Sequence, residues 1–187
     1  MKETIIQNIK NTSFAAIDAL HNVCENGSKG YKTFKINCAD LEDYNINDIT
    51  KSSKFNALFD ELKAMHNGPA LYVFEITSNH RANKIVDSIK NTKIERPIPA
   101  ILEKIFDESK ILYIGKVVEY FWGRLIQHLG FHKHKNSQGL QLYYWAKELK
   151  LELSITVLEF ETNSKDLMSL FENALAKELK PILGKHK

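Results

Sequence analysis

Two phenols, an ammonium, a guanidinium, an imidazole and a carboxylate occur in this sequence as Tyr72, Tyr113, Lys116, Arg124, His128 and Glu172. Together they are groups that can bind a phosphate ester and help water to attack it. Arg124 can make a paired contact with phosphate oxygens and neutralise charge that builds up during phosphoryl transfer. His128 follows four residues later, so on a helix the two side chains leave from one side. Glu172 can offer oxygen to a hard cation such as Mg²⁺ or Mn²⁺. Lys116 follows Gly115, and a glycine just after a strand lets a backbone or a phosphate come close. Each residue also has an ordinary alternative. Tyr72 can be a core aromatic, Lys116 a solvated lysine, and Arg124 a surface ion pair with Glu119 or Glu172. His128 can be a polar surface group and Glu172 an exposed helix carboxylate.

These groups need elements to position them. ALYVFEI at 70–76 is a short apolar run and predicts a buried strand with Tyr72, Phe74 and Ile76 on one face. ILYIGKV at 111–117 predicts a second strand with Ile111, Tyr113 and Gly115 on one face. Adjacent pairing of the two brings both phenols to one end of a sheet. Residues 119–129 predict a helix with Phe121, Leu125 and Leu129 inward and with Arg124 and His128 on an offset side. A loop at 130–139 and a helix at 140–149 follow. Residues 151–160 alternate as a third strand, and the parity breaks at Leu158, where a bulge or an end is expected. The last helix is capped by Asn163 or Ser164 and stopped by Pro181. It turns Leu167, Phe171, Ala174 or Leu175, and Leu179 inward. Glu172 lies one ~100° step from Phe171, at the flank of that stripe.

Upstream, residues 4–23 carry apolar side chains at helical spacing, 31–36 alternate as a short strand, and 37–51 read as a polar loop. Ser52 or Ser53 caps a helix with the stripe Phe55, Leu58, Phe59, Leu62 and Met65, which Asn67-Gly68-Pro69 ends. The boundary is placed there. Residues 1–66 form a mostly helical accessory segment and 67–187 the functional domain, with a charged insert at 79–108. The insert has helical patches at 82–89 and 100–106.

In order and spacing, Tyr72, Tyr113-Ile114-Gly115, Arg124, His128, Glu172 and Pro181 form a pattern. It resembles the GIY-YIG nuclease superfamily over about residues 68–184. The resemblance implies an α+β fold, with a small, mostly antiparallel three-stranded sheet flanked by helices. It implies a metal-dependent endonuclease that hydrolyses phosphodiester bonds of nucleic acid, with DNA as the first expectation. It further implies one Mg²⁺ or Mn²⁺ held by Glu172 as the sole protein ligand. Tyr72 then takes a proton from water directly or through the metal, Tyr113 and Arg124 stabilise the phosphate, and His128 supports them. The sequence departs from the family pattern in three places. Ala70 stands two places before Tyr72, where a glycine is usual; residues 79–108 separate two strands that usually have a short connection; and Ile182-Leu183-Gly184 after Pro181 lacks the usual asparagine. The insert can act as a specificity element or a lid.

Composition agrees with a globular chain that can bury a core, since 43% of its residues are hydrophobic and 26% charged. The formal net charge is +3. The distribution says more than the total: residues 110–150 hold seven Lys or Arg against two acids. Such an excess suits a phosphate-facing surface, with Lys116, Lys133 and Lys135 as contacts, or else a solvated face. His132 and His134 have no carboxylate or cysteine after them at ligand spacing, so they read as a basic loop that can track a phosphate strand. Cys24 and Cys38 have neither metal nor redox spacing and are expected as reduced thiols. With no signal-peptide pattern and no apolar stretch of spanning length, the expectation is a soluble cytoplasmic protein with no membrane partner. Two rivals to a nuclease remain: a nucleic-acid-binding module that kept the fold without catalysis, and a small interaction domain with no nucleic-acid role.

Overall fold

The computed structural model describes residues 1–42, 48–65, 67–93, 95–97, 99–132 and 138–185. The chain is α+β. Its centre, among the described residues, is one antiparallel sheet of four strands, β1 (Gly30–Asn37), β2 (Ala70–Ile76), β3 (Ile111–Val117) and β4 (Glu152–Glu159), in the order β1-β4-β2-β3. The family resemblance implies three, although the sequence also offers a short strand at 31–36. The fourth is β1, which comes from the segment read as accessory and pairs along its whole length with β4. Its alternation is legible, but its partner lies more than a hundred residues away, where periodicity carries no information.

The sheet has apolar side chains on both faces. On one, Tyr72, Phe74 and Ile76 of β2 stand beside Val157, Ile155 and Leu153 of β4 and join the main core. On the other, Leu71 pairs with Leu158, and with Phe160 and Met168 they form a second cluster. This second cluster explains the parity break at Leu158. The register of β4 continues unbroken through it, so no bulge forms there. The irregularity falls instead in the β2–β3 pairing, at Phe74/Glu75.

Among the described residues, six helices surround the sheet: α1 (Lys2–Asn26), α2 (Asn56–Ala64), α3 (Ala82–Asn91), α4 (Phe121–Leu129), α5 (Leu142–Trp145) and α6 (Met168–Leu179). Helix α1 packs on the 3₁₀ turn Thr162–Leu167, while Ile5, Ile6, Ile9, Phe14 and Ile17 stay exposed. Helix α3 puts Ala82, Ile85, Val86 and Ile89 into the core, so this part of the insert is built into the fold. The expected helix at 100–106 is absent. Extended backbone there bonds the C-terminal segment instead, through Leu102 N–H to Ile182 O and Gly184 N–H to Ala100 O. Helix α5 is a single turn, shorter than the helix expected over 140–149. Among the described residues, no helix is long and apolar enough to cross a membrane.

The inward stripe of α6 follows expectation at Leu167, which is buried, and at Phe171, which packs on the second cluster, and departs from it elsewhere. The segment expected to begin this helix folds as the 3₁₀ turn, and the buried positions of α6 are Met168 and Ala176. Leu179 is exposed. Glu172 lies four residues from each buried position, so the carboxylate is centred on the inward face instead of flanking it.

Candidate active site

Strand β3 is an edge strand, and residues of both its faces reach one cavity. Alternation turns Tyr113 and Gly115 to the face of Tyr72, and Lys116 to the face of Leu71. The cavity has a volume of about 530 Å³, and Tyr113, Lys116, Arg124, His128 and Glu172 all line it. Four elements therefore deliver side chains to one place: β3, α4, α6 and, behind the wall, β2.

Gly115 makes the tyrosine arrangement possible. It sits opposite Tyr72 in the register. A methyl group added there would lie 2.5 Å from the Tyr72 hydroxyl oxygen and 2.7 Å from Tyr113 Cε1. No side chain but hydrogen allows the Tyr72 ring to lie across the neighbouring strand with Tyr113 beside it. The two ring centres are 6.2 Å apart, and the His128 ring is 5.4 Å from one and 5.2 Å from the other.

The imidazole is inside, correcting the expectation of a residue on an offset helix side: His128 is 1% exposed. Its Nδ1 accepts the backbone N–H of Leu140 at 3.2 Å, and its Nε2 lies 3.0 Å from the Tyr72 hydroxyl. A neutral imidazole whose Nδ1 accepts must carry its proton on Nε2. His128 therefore donates to the Tyr72 oxygen. Burial, followed by the nearby charge of Arg124, holds this histidine well below its ordinary value of 6.5. It is neutral at neutral pH.

Tyr72 accepts a second bond, from Arg124 Nε at 3.3 Å. Its side chain is wholly buried, and burial is the main reason its phenol is pushed well above the usual range. At rest Tyr72 is a neutral group behind the cavity wall. The phenol at the wall is that of Tyr113.

Arg124 is fixed from both ends. Its Nη1 donates to Gln127 Oε1 at 2.6 Å and to the carbonyl of Gln138 at 2.8 Å. Burial opposes its charge, but the two tyrosines more than compensate, so the guanidinium is held even more firmly protonated than usual. Tyr72, Gln127 and Gln138 are all neutral partners. The surface ion pair weighed from sequence, with Glu119 or Glu172, is not among the ion pairs of the described residues. Glu172 pairs instead with Lys116, whose Nζ donates to Oε2 at 2.5 Å.

Segment 138–140, a loop and a helix start by its sequence, is a positioning strap. Gln138 holds Arg124, and Leu140 holds His128. Gly139 presses so closely on α4 that an added methyl would run into the Gln127 carbonyl oxygen. Trp145 Nε1 donates to Leu140 O at 2.7 Å and anchors the far side. A glycine at the end of a polar stretch carries no signal for such a contact. From the insert, Pro97, Pro99 and Ala100 also line the cavity. Lys133, Lys135 and His134 lie outside the described residues. His132 turns its backbone carbonyl to Arg96 Nη1, at 2.9 Å.

Among the described residues, no three His, Cys, Asp or Glu side chains gather as a metal cage. Glu172 is the one carboxylate among the described cavity residues, with the oxygen-bearing side chains of Ser169 and Asn173 beside it. One carboxylate with Ser169 and Asn173 beside it fits Mg²⁺ or Mn²⁺, which keep much of their water shell, better than it fits an ion that needs a closed protein cage. No family model, curated protein or solved structure was found to match this chain.

Proposed function

We propose that this chain is an endonuclease of the GIY-YIG type, hydrolysing phosphodiester bonds of nucleic acid with one divalent cation held by Glu172. One observation carries the reading: Tyr113, Lys116, Arg124, His128 and Glu172 come from three separate elements, yet line a single cavity, with Tyr72 bonded directly behind them.

In the reaction, a water oxygen bonds to phosphorus while one ester oxygen leaves; one proton of the water ends on the leaving oxygen and the other stays on the new monoester or passes to solvent. The protein's part is mainly placement and charge. Arg124, its orientation set by Gln127 and Gln138, presents remaining N–H groups to the non-bridging phosphate oxygens. Tyr113 adds a hydroxyl from the cavity wall. Tyr72 and His128 together hold the guanidinium from behind, and the single tautomer of His128 keeps the Tyr72 oxygen as an acceptor. When bound on Glu172, the cation neutralises phosphate charge and acidifies the attacking water. Pro97 and Pro99, from the insert, form a wall that restricts what enters.

The second reading, a binding module without catalysis, is favoured by the Lys116–Glu172 pair, which occupies the carboxylate. One experiment separates the two. Wild type and Glu172→Ala are incubated with supercoiled plasmid, single-stranded DNA and RNA, in Mg²⁺ or Mn²⁺ and in EDTA. Nicking that needs the cation and falls by about 1,000-fold or more in the variant, with binding retained, supports the nuclease. Salt-sensitive binding with no cleavage by either protein supports the module.

A further inference from the structure

The carboxylate assigned above to a divalent cation already holds a cation of the chain's own. Lys116 Nζ donates to Glu172 Oε2 at 2.5 Å, with 34% and 13% of the two side chains exposed. Water therefore screens the pair only in part. Helix α6 packs against β3, so element packing places the two residues together. A hard divalent ion sits about 2.1 Å from its carboxylate oxygens. Glu172 has two carboxylate oxygens, but an ion on either would stand close to the ammonium, and the two cations repel.

The cavity adds a second constraint. Its described lining carries three cationic side chains, Lys116, Arg124 and Lys185, against one anion, Glu172. His128 contributes none, since burial keeps it neutral. A divalent cation entering alone adds charge to a site that is already positive, whereas a phosphodiester entering with it restores balance.

We infer that Lys116 is a built-in counter-cation, occupying Glu172 until a divalent ion displaces it, and that the released ammonium then turns to the phosphate in the cavity. This rests on the reading of Glu172 as the cation's ligand. Cation and anionic strand then favour each other's binding, and the free protein binds the cation weakly.

The test uses Mn²⁺ alone, with no nucleic acid, and follows the free ion by electron paramagnetic resonance. The proteins are wild type, Lys116→Met, Lys116→Arg, Glu172→Gln and the double variant Lys116→Met/Glu172→Gln. Lys116→Met binds Mn²⁺ about three- to fivefold more tightly than wild type, a change of the size expected for a partly screened ion pair. Lys116→Arg keeps the pair and stays weak, and adding Glu172→Gln removes the gain. Equal affinity of wild type and Lys116→Met overturns the inference. So does a gain that survives in the double variant, or no binding by any form. A second readout needs no variant: acetic anhydride labelling of Lys116 in wild type, followed by peptide mass spectrometry, rises as Mn²⁺ saturates. Unchanged labelling overturns the inference as well. Neither readout depends on cleavage. Displacement without nicking leaves this inference standing and removes the nuclease; nicking without displacement does the reverse.

Discussion

On one side of β3, a phenol, an imidazole and a guanidinium are joined by hydrogen bonds in a dry pocket, with Tyr72 fully buried and His128 nearly so. On the other side, Lys116 and Glu172 meet as an ion pair in a half-open wall. Both groups face one cavity, but they are held by different forces. In the dry group, Gly115, Gly139 and the backbone of Leu140 dictate where each ring sits, and little can move without a clash. In the open group, long side chains and water allow exchange of partners. The difference teaches a division of labour: one side is built to hold a geometry, and the other to change its occupant.

The comparison yields tests of decreasing size. The largest effect belongs to Arg124, the part of the dry group that reaches the cavity. Arg124→Ala is expected to slow nicking about 100- to 1,000-fold with little change in thermal stability. Nicking close to the wild-type rate would reduce the dry group to scaffolding. Next is Gly115→Ala, which forces a methyl group against both tyrosines. The expected cost is about 1–3 kcal/mol of unfolding free energy, measured by urea titration. A neutral result would mean that the rings can shift, and the claim of a fixed geometry fails.

The third test is pH. Folding keeps His128 neutral, with its value depressed below the ordinary 6.5, so between those values the unfolded chain binds a proton that the folded chain does not. Its contribution is therefore complete above about pH 6.5 and lost as pH falls below it, with a slope of up to about 1.4 kcal/mol per pH unit. His128→Gln, which keeps a hydrogen-bonding side chain, should remove that component from stability measured between about pH 5 and 7. An unchanged pH dependence would show that the imidazole takes up its proton as readily in the folded as in the unfolded chain. The smallest effect is expected on the open side. Lys116→Met should change unfolding free energy by less than about 1 kcal/mol in a urea titration without divalent cation. A much larger loss would make the pair a structural clasp, equal in kind to the dry group.

Much of the framework is legible in the residues. The runs at 70–76 and 111–117 match β2 and β3 residue for residue, because short apolar segments bounded by Gly, Pro or polar stretches have few other ways to fold. Helix α4 is legible too, and Gly130, at φ 104°, ends it as a left-handed cap. The insert misleads at 100–106. That stretch has helical spacing, but hydrogen bonds to residues 182–184 hold it extended, and tertiary pairing outweighs a weak local preference. The stripe of α6 misleads in part: Phe171 packs inward as expected, but a 3₁₀ segment takes the expected first turn, and Met168 and Ala176 are the buried positions of the helix.

By itself the sequence determined which chemical groups exist and which stand on strand, helix or loop, since periodicity and turn residues act over a few positions. Only the tertiary structure decided that β1 completes the sheet, that His128 is buried and neutral, that Tyr72 stands behind the wall while Tyr113 lines it, and that Lys116 meets Glu172. Those outcomes depend on contacts between residues far apart in the chain. The Tyr72 and Tyr113 rings meet across the β2–β3 pairing, and Thr33 bonds Thr156 from 123 positions away. At such separations a local pattern names no partner, and the packing of the whole chain selects one.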